Sequence, residues 1–132
     1  MFFKLELILS GIICGIILLQ TSVIAPSIFK YLDQNQTRDL LRAIFPNFFL
    51  YIILLASLSL VVGMLDNVKF DIQSTIASLT VVLSILCYII IPSTNDAKDK
   101  NNQKRFKFLH NLSVISTVII FLTNLSLVFL NI

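Results

Sequence analysis

Four long runs without a formally charged side chain constrain this sequence more than any other feature. The runs are Leu7–Phe29, Ala43–Leu65, Ile72–Asn95 and Phe108–Ile132, and none of them contains Asp, Glu, Lys or Arg. An α-helix needs roughly 20 residues to cross the hydrocarbon core of a bilayer, and each run is long enough. Because a small soluble domain cannot bury four such runs, the sequence predicts a polytopic membrane protein.

The composition agrees with this class. Hydrophobic residues make up 57% of the 132 residues and charged residues only 13%. In a bilayer every backbone polar group must be paired within the protein, and the runs lack the alternation of a barrel strand, so each run should be helical. We therefore predict an all-α fold, an antiparallel bundle of four transmembrane helices, as a single domain over residues 1–132. The first run exceeds the apolar length of a signal peptide, and we expect it to be a retained helix.

The basic residues predict the orientation. On one side of the membrane lie Lys30, Arg38, Arg42, Lys98, Lys100, Lys104, Arg105 and Lys107. On the other side lie only Lys4 and Lys69. Short loops rich in Lys and Arg stay in the cytoplasm, so both termini should be outside, in a multi-pass protein of a bacterial cytoplasmic (inner) membrane. This asymmetry explains the net charge of +3 without a nucleic-acid partner.

Labelling of introduced cysteines checks this orientation. A membrane-impermeant maleimide added to intact cells should label a cysteine that replaces Asn67 and leave one that replaces Asn101 unlabelled. The physical reason is the uneven distribution of Lys and Arg between the two sides. Labelling at Asn101 in intact cells would contradict the predicted orientation.

Small and polar residues indicate where helices meet. Gly11 and Gly15 are four residues apart, a spacing that lets helix backbones approach closely. We expect this face either to pack inside the bundle or to bind another membrane protein or a second copy of the chain. Further small or polar positions are Ala56, Ser59 and Gly63 in the second run and His110, Ser113, Thr117 and Asn124 in the fourth. These side chains either join helices or line a polar cavity.

The sequence offers little for catalysis or metal binding. No charged residue lies within a run, which argues against a proton-driven transporter. His110 is the only histidine, and no nucleophile–base pair or phosphate loop is present. Cys14 and Cys87 should differ in depth by about 12 Å, too far for a disulfide or a shared metal. We expect a non-enzymatic protein with no metal and no cofactor.

Unusual residues gather at the predicted cytoplasmic ends of the helices. They are Gln20, Pro26, Phe45, Pro46, Asn47, Tyr88, His110 and Ser113. Prolines free backbone carbonyls that need partners, and Asn47 and His110 can donate to such groups. We predict a pocket for a small ligand or lipid there, with His110 hydrogen-bonded to Gln20, Asn47 or Ser113. The alternative is that these residues only stop and cap helices at the interface.

Several of these residues also carry a resemblance to a family. The motifs are Ala25-Pro26-x-x-Phe29-x-x-Leu32, Phe45-Pro46-x-Phe48 and Phe106-x-x-Leu109-His110-x-x-Ser113. Together they resemble the four-helix membrane proteins typified by transmembrane protein 205, a domain of unknown function (DUF4149). The resemblance implies four helices and marks Pro26, Phe45, Pro46, His110 and Ser113. Phe48 and Thr117 depart from the Tyr and Asn expected there, which implies a thinner hydrogen-bond network.

Three functions remain open from the sequence. The first is a non-enzymatic membrane protein with a small-ligand or lipid pocket in the cytoplasmic leaflet. The second is an assembly or interaction subunit that uses the Gly11/Gly15 face. The third is a metal- or haem-handling membrane protein, which a more distant similarity in architecture to copper-resistance and haem-pathway proteins suggests. Those proteins use several histidines or a helix lysine, which this chain lacks.

Overall fold

The fold is helical throughout the described part of the chain. A computed structural model describes residues 2–65 and 71–130, and of Phe2 only the backbone. The elements are α1 (Phe2–Leu19), a π-helical segment (Gln20–Ile24), α2 (Ala25–Tyr31), α3 (Gln34–Leu65), α4 (Ile72–Asp99) and α5 (Gln103–Leu130). Within these residues there is no strand, so the predicted all-α class is confirmed.

The described residues contain four stretches that are long and apolar enough to cross a membrane. These are Phe3–Tyr31, Gln34–Leu65, Ile72–Asp99 and Gln103–Leu130, named here the first to fourth spans. The first span joins α1, the π-helical segment and α2. Many large apolar side chains are exposed, among them Leu54 and Val82, as lipid-facing side chains would be. The chain is a four-helix, multi-pass membrane protein, as its charge-free runs predict.

The spans pack in a closed ring. The first span contacts the second and the fourth, and the third contacts the second and the fourth. Because the spans are antiparallel, one end of the bundle carries both basic connections, and we name it the basic end. The opposite end, where α1 begins and α5 finishes, is the terminal end. The buried core consists of Ile13, Ile17, Phe48, Phe49, Ile52, Ala56, Cys87 and Ile120.

Side-chain caps fix where three helices begin. Asp33 Oδ1 accepts from the Gln36 N–H (2.8 Å), and Gln36 Oε1 accepts from the Asp33 N–H (3.3 Å), a reciprocal capping box. The other two caps are Asp71 Oδ1 with the Ser74 N–H (2.9 Å) and Asn102 Oδ1 with the Arg105 N–H (3.1 Å). α3 therefore starts at Gln34, before Thr37, where the sequence predicts a helical turn. The sequence also predicts a tight turn over residues 67–71, and apart from Asp71 this segment lies outside the described residues.

The polar segment between the third and fourth spans is more helical than its composition predicts. The Asn- and Lys-rich composition of residues 94–103 predicts a mobile loop there, but α4 continues to Asp99. Asn101 then adopts a left-handed conformation, with φ of 53°. The Asn102 N–H bonds the Ala97 carbonyl (2.9 Å) and the Asn101 N–H bonds the Lys98 carbonyl (3.2 Å), which is a Schellman closure. The basic residues thus lie on helix ends and in one tight turn.

The glycines divide between lipid and helix contacts. Gly11 and Gly15 are exposed, and a Cβ added at either position would have no atom of another span within 4 Å. The expectation that they contact another helix inside this bundle was therefore wrong. At Gly63 a Cβ would lie 2.8 Å from Glu6 Oε1 and 3.1 Å from Ser74 Oγ. Gly63 is the glycine at which three spans approach closely.

Both cysteines are buried and free, as their different depths predict. The Cys14 thiol lies 3.7 Å from the Phe121 carbonyl oxygen, and the Cys87 thiol lies 3.8 Å from that of Ser113. Each thiol fills a small space against the fourth span, as expected of apolar packing residues.

Candidate ligand groove between the first and second spans

A π-helical segment interrupts the first span just before Pro26. The proline ring has no N–H and would clash with the carbonyl of Ser22, four residues earlier, in a regular helix. Instead the Ala25 N–H bonds the carbonyl of Gln20, a wider turn that accommodates the ring. Such π-bulges are frequent at functional sites. Gln20 begins this segment and faces the bundle, with only 6% of its surface exposed.

A groove of about 480 Å³ lies between the first and second spans, in the half of the bundle nearer the basic end. Two helical strips with four-residue spacing form its walls. One strip is Ile16, Gln20 and Ile24, with Leu19 beside it, and the other is Ala43, Asn47 and Tyr51, with Ile44 and Phe48 beside it. Leu19, Ala43 and Tyr51 are exposed, so the groove opens toward lipid. Its lining contains no charged residue.

Gln20 is the chemically distinctive member of the lining. Its Nε2 is buried and has no hydrogen-bond partner among the described residues. Asn47 does not pair with it: the Asn47 Nδ2 donates to the Ala43 carbonyl at 3.0 Å, and the Asn47 Oδ1 accepts no hydrogen bond from Gln20 Nε2. A buried amide donor without a partner costs free energy comparable to a lost hydrogen bond, so a molecule that brought an acceptor to Gln20 Nε2 would recover that free energy.

The structure brings two of the eight predicted site residues into this groove, Gln20 and Asn47. Phe45 stacks on Phe49, with ring centroids 6.5 Å apart, at the edge of the core. The others are spread over the same half of the bundle. Pro46 is inside α3, Pro26 lies in the first turn of α2, Tyr88 is exposed on α4, and His110 and Ser113 are on α5.

His110 is placed differently from the prediction. Its side chain is exposed and stacks on Phe106, with ring centroids 5.6 Å apart and the planes inclined by 9°. Within the described part of the chain, none of Gln20, Asn47 and Ser113 forms a hydrogen bond with His110. The prediction that one of them is its hydrogen-bond partner was therefore wrong. His110 lies less than two turns into α5, where the helix end leaves it accessible.

Several groove residues were not among the predicted site residues. They are Ile16, Leu19, Ile24, Ala43, Ile44, Phe48 and Tyr51. The signal that identifies them is weak, because apolar side chains at four-residue spacing also describe an ordinary lipid-facing or core strip. Tyr51 alone carries a polar group, and it stands eight residues after Ala43 on the same helical strip.

Most buried polar side chains lie toward the terminal end, where the sequence showed little. They include Glu6, Ser10, Ser59, Gln73, Thr80 and Asn124. Asn124 Nδ2 donates to Thr80 Oγ1 at 2.9 Å and to the Ile120 carbonyl at 2.8 Å. Glu6 stands one residue before the first charge-free run, yet only 5% of its surface is exposed. The prediction that the unusual residues gather at the basic end therefore missed the buried polar side chains near the terminal end.

Ion pairs close the basic end beside the groove. Arg42, which follows the first turns of α3, pairs with Asp99 at the end of α4 and also reaches the Asn95 carbonyl at 3.5 Å. Asp96 pairs with Lys100 at 3.0 Å and with Arg105 at 3.9 Å. These contacts join the second, third and fourth spans and occupy Arg42, the charged residue next to the groove.

The comparisons with known proteins identify the family. A family model described as a domain of unknown function (DUF4149) matches residues 8–103, which include most of the first span, all of the second and third spans and the whole groove. The chain belongs to this family. No curated protein and no solved structure matches it. Within residues 2–65 and 71–130, no group of three His, Cys, Asp or Glu side chains is placed to hold a metal.

Proposed function

We propose that this protein is a non-enzymatic binder of a small membrane-soluble molecule or lipid, held in the groove between the first and second spans. The buried and unpaired Nε2 of Gln20 carries the proposal. Lipid tails offer no hydrogen-bond acceptor, so an orphan amide in this position is costly unless something pairs with it. A ligand that supplies an acceptor removes this cost and gains apolar contact with both walls.

The location of the groove supports the predicted cytoplasmic-leaflet pocket. If the Lys and Arg residues are cytoplasmic, the groove faces the inner leaflet of a bacterial cytoplasmic membrane. Pro26 and Pro46 act on its shape, because the first creates the π-helical segment and the second lies between Ala43 and Asn47 on the facing wall. Phe45, Tyr88, His110 and Ser113 lie around this half of the bundle and would act on the ligand only indirectly.

A second function has its own observation. Gly11 and Gly15 leave a flat, exposed strip on the first span, with nothing in the bundle filling it. Small residues at this spacing favour close helix–helix association in a bilayer. An assembly subunit, or a homo-oligomer, that uses this strip is therefore the alternative proposal.

The motifs at Phe45-Pro46 and Leu109-His110 further suggest that the chain is one of the transmembrane protein 205-like members of its family.

Filling the groove should abolish ligand retention. Ala43→Phe places a ring into the exposed end of the groove, so less than about a tenth of the ligand carried by the wild type should remain. Mass spectrometry of organic molecules retained after extraction in a mild detergent measures this, normalised to protein. Leu54→Phe, on the lipid-facing side of the same helix, is the control and should retain the ligand. If wild type and Ala43→Phe retained equal amounts of lipid, with the composition of the bulk membrane, the proposal would be contradicted.

A further inference from the structure

We infer that the ligand inserts an uncharged, apolar segment bearing a carbonyl oxygen, which accepts a hydrogen bond from Gln20 Nε2, and that it enters sideways from the lipid. This inference rests on the proposed function and adds the chemical class of the ligand and its route.

The lining decides the charge of the inserted segment. The groove residues include no Asp, Glu, Lys, Arg or His, and the guanidinium of Arg42, the residue before Ala43, is paired with Asp99. A charge placed beside Gln20 would lose its water and gain no opposite charge, which is strongly unfavourable. The segment that enters is therefore uncharged, whatever group remains at the membrane surface.

The hydrogen-bonding groups decide which polar atom the segment carries. Gln20 Nε2 is a donor without a partner, and Tyr51 is the other groove residue besides Asn47 that carries a polar side-chain group. Asn47 has committed its donor to the Ala43 carbonyl. None of the oxygens in the lining, Asn47 Oδ1 included, accepts from Gln20 Nε2, so a carbonyl oxygen of the ligand supplies the missing acceptor with its two lone pairs. A pure hydrocarbon would leave the Gln20 Nε2 without a hydrogen-bond partner.

The shape of the groove decides the route. From Ile16 to Ile24 the wall extends for about 12 Å along the helix, at 1.5 Å per residue. Its mouth is flanked by Leu19 and Tyr51, both more than half exposed, so it opens along its side to the bilayer. Two sources offer the same chemistry there, the ester carbonyl of a diacyl lipid and the ring carbonyl of a long-chain quinone.

A single tryptophan reports binding without background, because the chain contains none. Leu19→Trp places the indole at the groove, and Leu18→Trp, one residue earlier and also exposed, is the control outside it. Each variant is reconstituted in vesicles of a non-quenching, ether-linked phosphatidylcholine, which has no ester carbonyl with which to occupy the groove. Three quenchers are titrated in separate arms: a phosphatidylcholine brominated on its acyl chains, a long-chain benzoquinone and a bromoalkane without a carbonyl.

The inference predicts saturable quenching of Leu19→Trp in a carbonyl arm, above that of Leu18→Trp. Adding Gln20→Leu should weaken that binding by about tenfold and leave the bromoalkane arm unchanged. The arm that saturates identifies lipid or quinone as the source. Two results together would overturn the carbonyl inference while the binding function stands. They are saturable quenching by the bromoalkane as strong as that by the carbonyl quenchers, and no effect of Gln20→Leu on either. Equal quenching of both tryptophans in every arm would overturn both.

Gln20→Met distinguishes the effect of losing the hydrogen bond from the effect of changing the shape of the side chain. Methionine has a similar length and no amide, so it should weaken carbonyl binding as Gln20→Leu does. Circular dichroism and gel filtration of each variant confirm that the bundle is intact. Full carbonyl affinity in a folded Gln20→Met variant would overturn the assignment of the donor.

Discussion

Gly63→Leu should lower the thermal unfolding midpoint of the bundle strongly, whereas Gly15→Leu should leave it nearly unchanged or raise it slightly. A Cβ at Gly63 already lies 2.8 Å from Glu6 Oε1 and 3.1 Å from Ser74 Oγ, and a leucine would force the first and third spans away from the second. Overpacking of this kind costs about 1–3 kcal/mol. Circular dichroism during heating in a mild detergent measures both midpoints.

The pair is matched because both substitutions replace a helical glycine by the same good helix former. The gain in helix propensity, about 1 kcal/mol or less, is common to both, so their difference reports packing. Gly63→Ala tests the mechanism further, since Glu6 is a long side chain that can move away from a single methyl group. If monomeric Gly15→Leu unfolded at a lower temperature than monomeric Gly63→Leu, Gly15 and not Gly63 would be the glycine that contacts another span.

The glycines show what a local pattern leaves open. The Gly11-x-x-x-Gly15 spacing states that two small residues share a helix face, and this is correct. It does not state which face turns toward the bundle, because that depends on how four spans pack in a ring. Gly63 has a serine, Ser59, and not a second glycine four residues before it, yet it is the position where a carboxylate from another span approaches the backbone.

The spans themselves were predictable because bilayer thickness fixes a minimum apolar length. The charge-free run of the second span starts at Ala43, but the helix begins at Gln34. The extra turns are polar and lie before the apolar stretch, so hydropathy does not report them. Their signal is the Asp33–Gln36 capping box, which is a local feature of the sequence.

The groove was predictable only through its polar members. Gln20 and Asn47 stand out in apolar runs, and both were expected in the half of the bundle where they lie. The apolar walls resemble any lipid-facing strip, so the sequence does not separate them. Glu6 was missed for the opposite reason, because it lies outside a charge-free run and its burial comes from the ring packing of other spans.

Asn124→Asp should be among the most destabilising single substitutions in the fourth span. Asn124 is 2% exposed and donates to Thr80 Oγ1 and to the Ile120 carbonyl. An ionised carboxylate donates to neither, and it faces the Ile120 carbonyl oxygen without a cation. A charge in this part of a membrane helix costs about 3 kcal/mol. We expect a large drop in the unfolding midpoint in detergent and a low yield of folded protein.

Two further substitutions test the origin of this cost. Asn124→Leu removes the same hydrogen bonds without a charge and should cost only about 1 kcal/mol, because hydrogen bonds between membrane helices are individually weak. Asn111→Asp adds the same charge to an exposed position of α5 and should change stability by about 0.5 kcal/mol or less. Equal midpoints for Asn124→Asp and Asn111→Asp would mean that Asn124 is not enclosed between the third and fourth spans. Because Thr80 Oγ1 also donates to the Ile76 carbonyl (2.8 Å), it keeps one hydrogen bond in Asn124→Leu, which is why that variant should still fold.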